Sequence, residues 1–231
     1  MVSPRIPTGQ AFDMMQIIGA ENLQGLAERL PTQSRDFVRM FGKEAQAARP
    51  AHGEPDMTID LEPGMQPPSG KFYPLSPDEL ELLKEYLDEM LKNRKIHSSK
   101  SSDCDPIFVA TQANGKLRIV VDYRELNAIT IKDKYCLPHM TTLIEQVGTS
   151  QLFTRLDLKT GFNLLRTAEG DEWKTVFKTR HGQYEYTLMW FGLTNALSVF
   201  QQQHKNIQIE KIHQGVVVYI DDILIYSNTG E

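Results

Sequence analysis

The stretch Val216-Val217-Val218-Tyr219-Ile220-Asp221-Asp222-Ile223-Leu224-Ile225-Tyr226-Ser227 constrains the fold more than any other part of the sequence. Two runs of β-branched and aromatic residues flank adjacent carboxylates, which predicts two strands with Asp221 and Asp222 where the chain reverses. Side chains alternate along a strand, so two neighbouring Asp share a direction only at a turn. Carboxylates between buried strands are costly unless their charge is met. A divalent cation meets it well, because hard cations take carboxylate oxygens. The plainer alternative is an acidic tip facing water, and for an isolated Asp pair that alternative is preferred.

Other local signals place elements around this hairpin. Ser76-Pro77-Asp78-Glu79 supplies an N-cap, a proline at the first helical position and a capping box. Leu80, Leu83, Leu87, Met90 and Leu91 then recur at helical spacing, and Lys92, Arg94 and Lys95 close the helix at its negative end. Strands are predicted at 107–111 and 117–121, joined around Asn114-Gly115. A short helix is predicted from 138 to 147, stopped by Gly148. A strand over 151–158 delivers Asp157 near its end. Strands over 174–179 and 183–189 pair around His181-Gly182, and a helix runs from 194 to about 212 with a thin apolar face and many glutamines.

Residues 1–70 differ in kind. Eight of the twelve prolines and seven of the fifteen glycines fall there, so a linker or poorly ordered arm is expected, with short helices at 22–30 and 35–41 and an extended segment at 57–61. The expected division is this arm, a region over 71–150 and a last region over 151–231.

Composition excludes several classes. A 40% hydrophobic and 24% charged chain of 231 residues is that of a globular protein, with no apolar run long enough for a membrane span and no signal-peptide core. An intracellular, cytoplasmic location is expected. Cys104 and Cys136 lack the spacing of a zinc site or disulfide framework, and the six histidines form no HExxH or HxxxH pair. The net charge of −5 gives no general attraction to nucleic acid. Between residues 92 and 134, however, basic side chains outnumber acidic ones, a local positive stripe.

Asp157 and the Asp221-Asp222 pair are far apart in sequence, yet all stand at strand ends. Three converging carboxylates suit two-metal phosphoryl transfer. Spacing alone leaves open whether these strands are neighbours.

Four segments, in order, carry a resemblance: Gly115-Lys116-Leu117-Arg118-Ile119-Val120-Val121-Asp122-Tyr123-Arg124-Glu125-Leu126-Asn127; Leu156-Asp157-Leu158-Lys159-Thr160-Gly161-Phe162; Phe191-Gly192-Leu193-Thr194-Asn195-Ala196; and Tyr219-Ile220-Asp221-Asp222. Together with the lead-in Ile59-Asp60-Leu61-Glu62-Pro63-Gly64, this series resembles the reverse transcriptases of gypsy-class long-terminal-repeat retrotransposons, as a fragment of a pol polyprotein. The resemblance implies an α/β (α+β) fold: fingers and a partial palm, with a small antiparallel palm sheet carrying helices on one face. Residues 71–150 would be fingers-like and 151–231 the partial palm, with the thumb, ribonuclease H and integrase absent.

The resemblance also implies roles. Asp157, Asp221 and Asp222 match the catalytic, metal-binding carboxylates, with two Mg²⁺ ions (or Mn²⁺) as cofactors. Lys116 and Arg118 match residues that hold the incoming triphosphate, Phe162 the gate beneath its sugar, Phe191 a residue of the nucleotide pocket, and Tyr219 an aromatic on the primer side. Partners would be an RNA or DNA template with its primer and deoxynucleoside triphosphates, within a virus-like particle if the element is complete. Considered one at a time, Lys116 and Arg118 are equally solvated strand charges, Phe162 a core aromatic and Tyr219 a packing residue. Asp122 and Arg124 are expected to form a structural ion pair. The sequence departs from the family at Trp190 and Leu197, where proline is usual, and at Thr111, Gln112 and Ala113, where lysines are usual. An inactive remnant that binds nucleic acid weakly is the alternative function. Because the family's primer-holding parts follow the acidic hairpin, and the net charge is acidic, the 231-residue chain alone is expected not to extend a primer processively.

Overall fold

The computed structural model describes residues 50–228 apart from 54–55, 136–137, 158–160 and 209–214, together with isolated positions before residue 50. The helices expected at 22–30 and 35–41 lie largely outside the described residues, as do Cys136 and the end of the helix expected to reach 212. The chain forms two compact units, each drawn from separate stretches: one from Arg49–Lys134 with Phe162–Phe200, the other from Tyr135–Gly161 with Gln201–Glu231. The division expected from composition runs in consecutive blocks, whereas the observed units interleave.

In the first unit, helix α1 (Pro77–Lys92) begins with the expected capping box. The Ser76 hydroxyl accepts from the Glu79 N–H, and the Glu79 carboxylate accepts from the Ser76 N–H at 2.7 Å. Such a cap contributes about 1 kcal/mol. Leu83, Leu87 and Met90 turn inward at helical spacing. Strands β1 (Ile96–Ser98), β2 (Asp105–Thr111) and β3 (Leu117–Val121) follow, then a short helix α2 (Arg124–Ile129). Later in the chain this unit adds β5 (Phe177–Thr179) and β6 (Gly182–Tyr186).

These five strands make one sheet in the order β1-β6-β5-β2-β3. All pairs are antiparallel except β2 with β5, where Asp105 and Pro106 face Phe177 and Lys178 in parallel. Strands β5 and β6 are shorter than expected. Residues Glu172–Thr175 form a 3-10 turn instead, which closes because the Thr175 hydroxyl donates to the Glu172 carbonyl. Strand β1 falls in a stretch for which the sequence predicts no element; its Ile96 is buried opposite Tyr186.

Part of the presumed arm belongs to this unit. Met57 and Ile59 are buried. The segment bridges Met57 to Thr167, Leu61 to Thr130 and Ser69 to Cys104. Alternating apolar residues at 57, 59 and 61 outweigh the breaker prolines around them. Aromatic stacking anchors the core. Tyr186 stacks on Phe177 with ring centroids 4.9 Å apart and on Trp190 at 4.3 Å, and the buried Tyr123 hydroxyl donates to the Thr175 carbonyl. Trp190 thus uses its ring where a proline could only turn the chain. Cys104 is a free, buried thiol.

The second unit holds helix α3 (Met140–Val147), ended at Gly148 as expected, and strands β4 (Leu152–Asp157), β7 (Val216–Tyr219) and β8 (Asp222–Ser227). They form an antiparallel sheet in the order β4-β8-β7. Helix α4 (Ala196–Gln208) has its first turn in the first unit and continues in the second from Gln201. Gly215 begins the β7–β8 hairpin at φ +91°, where an added Cβ would stand 2.5 Å from the Tyr226 carbonyl oxygen. Among the described residues no helix is long and apolar enough to cross a membrane.

Candidate functional site

The acidic hairpin forms, but its turn lies one residue earlier than the sequence predicts, with Asp222 already in the second strand. Tyr219 and Asp222 face each other across a two-residue turn, Ile220-Asp221. On the other side of β8, register pairs Asp157 with Asp222. Two strands far apart in sequence thus become neighbours, and the backbone brings positions 157, 221 and 222 to one end of the three-stranded sheet. The Asp157 side chain lies outside the described residues. Among the described residues no three His, Cys, Asp or Glu side chains stand close enough to hold a metal ion.

Asp222 has a partner that sequence reasoning missed. Arg155 Nε donates to its Oδ1 at 2.9 Å, and Arg155 Nη2 lies 2.8 Å from the same oxygen. Arg155 faces Leu224 in register, so the contact is diagonal across two strands, within reach of a long side chain. Both groups are substantially exposed, so the pair adds little stability. The chemistry of the site still suits a hard cation, because Asp221 and Asp222 offer carboxylate oxygens beside the backbone position of Asp157. Tyr219 is half-buried on β7.

The turn itself is unusual. Ile220 adopts φ +57°, a region that β-branched residues avoid. Its N–H donates to the Gln201 side-chain oxygen at 2.6 Å, and the Gln201 amide nitrogen donates to the Val218 carbonyl at 3.3 Å. Gln201 was missed by the sequence reading, in which the glutamines of its helix counted only as a thin apolar face.

The first unit holds the other candidate residues. Arg118 lies over the Phe191 ring at 4.7 Å, a cation–π contact. Phe162 packs beside Phe191 at 4.5 Å and stacks on Phe200 at 4.8 Å. Arg118, Phe191 and Phe162 are therefore brought together, with Phe162 only 5% exposed. Lys116 is exposed at the end of the β2–β3 loop, its N–H bound by the Asn114 side chain.

Two motif segments are tied to each other. Asn127 donates to the Gly192 carbonyl and accepts from the Thr194 N–H. Asn195 donates to the Ile131 carbonyl and accepts from the Asp133 N–H. The expected ion pair is present: Arg124 binds both Asp122 oxygens at 2.7 Å. That guanidinium holds the Asp122 carboxyl below the usual carboxylate range, helped by the Tyr73 hydroxyl. At the base of β2, Asp105 is buried with its Oδ1 lacking any partner. Burial, with Glu125 and Asp122 nearby, pushes its carboxyl up to about 7.

Comparison with known proteins agrees with the geometry. Residues 99–231 match the family model described as reverse transcriptase (RNA-dependent DNA polymerase). A Drosophila melanogaster retrovirus-related Pol polyprotein from transposon 297 is 39% identical over 165 residues, covering 69% of this chain and 16% of that protein. The transposon Tf2-3 polyprotein of Schizosaccharomyces pombe is 36% identical over 157 residues, covering 68% and 12%. The Drosophila Pol polyprotein from transposon opus is 32% identical over 223 residues, covering 94% and 22%. The chain thus spans less than a quarter of each of these relatives. Crystal structures of prototype foamy virus protease–reverse transcriptase superpose with TM-scores of 0.67 and 0.64, at 23% and 24% identity, covering 90% and 87% of this chain and 29% and 28% of those chains. This likeness shows the mixed α/β fold of fingers and palm.

Proposed function

We infer the function from one premise: this chain belongs to the reverse transcriptase (RNA-dependent DNA polymerase) family. It is a segment similar to retrotransposon Pol polyproteins. The finer assignment that its motif series favours is the gypsy class. The proposed activity is template-directed nucleotidyl transfer. A primer 3′-hydroxyl oxygen forms a bond to the α-phosphorus of a deoxynucleoside triphosphate, and the bond to pyrophosphate breaks.

The observation that carries this reading is the register of Asp157 opposite Asp222, one residue from the Ile220-Asp221 turn. In the proposal, Asp157, Asp221 and Asp222 hold two Mg²⁺ ions, or Mn²⁺. When bound, such ions lower the pKa of the attacking hydroxyl and neutralise the leaving pyrophosphate. Lys116 and Arg118 bind the triphosphate, as cationic donors opposite an anion should. The contact of Arg118 with Phe191 supports placing both at the nucleotide. Phe162 lies beneath the sugar, and Tyr219 stands on the primer side. Template and primer are the macromolecular partners. Residues 71–150 act as fingers and 151–231 as part of the palm, with residues 57–69 packed into the first unit rather than standing apart as an arm. The expected setting is intracellular, in a virus-like particle if the element is complete.

The test is primer extension on an RNA template with Mg²⁺, using the 231-residue chain and longer forms of the same protein. Asp157→Asn and Asp221→Asn should each lower extension on the order of a thousandfold or more, as loss of a principal catalytic group does, while circular dichroism stays that of the parent. Normal extension by either variant would sink the assignment. No extension by the parent in any form would leave the remnant reading. Phe162→Val should raise ribonucleotide incorporation relative to deoxyribonucleotide; unchanged discrimination returns Phe162 to the core.

A further inference from the structure

The β7–β8 turn has a conformational problem that its own residues do not solve. A β-branched residue at φ +57° is strained and persists only where surrounding structure enforces it. Ile220 gains nothing from its neighbours in the turn, since neither Asp221 nor Asp222 is a glycine that could take the strained position instead. The enforcing group comes from a helix. Gln201, only 4% exposed, bonds both sides of the strained residue: its oxygen takes the Ile220 N–H and its nitrogen reaches the Val218 carbonyl.

The chemistry of those two partners fixes the orientation of the amide. An N–H requires an acceptor and a carbonyl requires a donor, so only one flip of the glutamine satisfies both. Glutamate has the length but no donor for Val218, and its charge would stand beside two carboxylates. Methionine has the length but neither function, and would leave the half-buried Ile220 N–H without this acceptor. Among natural side chains of this reach, glutamine alone supplies both contacts without charge.

We propose that Gln201 is a positioning residue that latches the strained Ile220 turn and thereby sets where Asp221 and Asp222 stand. Its catalytic consequence rests on the polymerase reading above; the latch itself does not. Released from Gln201, the turn relaxes toward negative φ at Ile220, which swings the peptide preceding Asp221. Reaction rates are sensitive to such displacements: about 1 Å at a reacting group costs on the order of a hundredfold. The triphosphate contacts proposed in the first unit do not depend on the turn, so the loss falls on kcat and spares KM for the nucleotide.

Two measurements test this. The first is backbone amide exchange by NMR on the full 231-residue chain. In Gln201→Met the Ile220 amide should exchange about tenfold faster or more, the ratio expected for one lost hydrogen bond, with the other β7 and β8 amides unchanged. The second is single-nucleotide incorporation by the form of the protein that extends a primer. Gln201→Met should lower kcat about ten- to a hundredfold with KM for the nucleotide within about threefold of the parent. Adding Ile220→Gly, which tolerates positive φ, should restore part of the lost kcat. Unchanged exchange at Ile220 overturns the latch. Faster exchange with unchanged kcat overturns the positioning role and leaves Gln201 a structural cap. A kcat loss that Ile220→Gly does not relieve also overturns it, because the strain would then not be the link. If the parent extends no primer in any form, the polymerase reading fails, and the exchange experiment still decides whether the latch exists.

Discussion

Two hairpins of this chain carry proposed functional residues, and they reverse direction by opposite means. The β2–β3 hairpin, with Lys116 and Arg118, uses a loop from Gln112 to Lys116, closed by the Gln112 N–H on the Lys116 carbonyl at 2.8 Å. Its positive φ, +79°, falls on Gly115, where no atom crowds the position. The β7–β8 hairpin, with Asp221 and Asp222, turns in two residues and puts its positive φ on isoleucine. The first turn is specified by its own sequence. The second takes its geometry from Gln201, 19 residues away. A turn that merely reverses the chain can be built from permissive residues. A turn that must hold carboxylates in one place gains from being over-determined, even at the cost of strain.

The largest effect that bears on this contrast lies at the base of the relaxed hairpin. Asp105 begins β2, buried and with an unpartnered oxygen, and its carboxyl is raised from 3.8 to about 7. The folded state therefore holds a proton that the unfolded state has released. This stabilising difference is complete below the unfolded value and is lost as pH rises through about 7, after which it levels off. Tyr123, Glu125 and Asp122 surround the group electrostatically. Asp105→Asn should flatten the profile and stabilise the protein at pH 8 by about 2–4 kcal/mol. Urea unfolding across pH 4 to 8 measures it. An unchanged slope would mean that Asp105 ionises freely and that the relaxed hairpin carries no such burden.

A smaller effect tests the turns directly. Gly115→Ala should cost about 1 kcal/mol, all of it backbone, because there is open space for the methyl group. Smallest of all, Ile220→Gly should change stability by less than about 0.5 kcal/mol, since relief of strain offsets the entropy of glycine and the lost side-chain contact. Thermal unfolding of the two variants sharpens or breaks the contrast. Equal and large losses at both positions would show that Ile220 is not strained in solution.

What the sequence disclosed follows the same line between local and distant control. Ser76, Pro77 and Glu79 announce the start of α1, and Gly148 the end of α3, through contacts within a few residues. Asn114-Gly115 announces the β2–β3 turn. The acidic hairpin is legible from its own alternation of strand-forming residues. The pairing of β2 with β5, the strand at Ile96–Ser98 and the burial of Met57 were not legible, because each depends on a partner elsewhere in the chain. In the candidate site, the positions of Asp157, Asp221 and Asp222 were named from motifs, but Arg155 and Gln201 were not. Nothing in an arginine on a strand or a glutamine in a polar helix marks it until its partner is in place.

The antiparallel contact between β4 and β8 has a consequence for how the chain is made. Arg155 and Asp222 are 67 residues apart. At ribosomal speeds of about 5–20 residues per second, β4 emerges several seconds before β8 exists. The β2–β3 hairpin needs no such delay, since hairpins close in about 1–10 μs. Refolding followed by pulsed amide exchange should therefore protect β3 before β4, and simultaneous protection would remove that order. Until β8 arrives, β4 presents unpaired backbone groups to whatever lies nearby, and a second nascent copy is a competent partner. Dense translation on one message thus favours strand exchange between neighbouring chains, and slowing initiation should raise the yield of correctly paired protein.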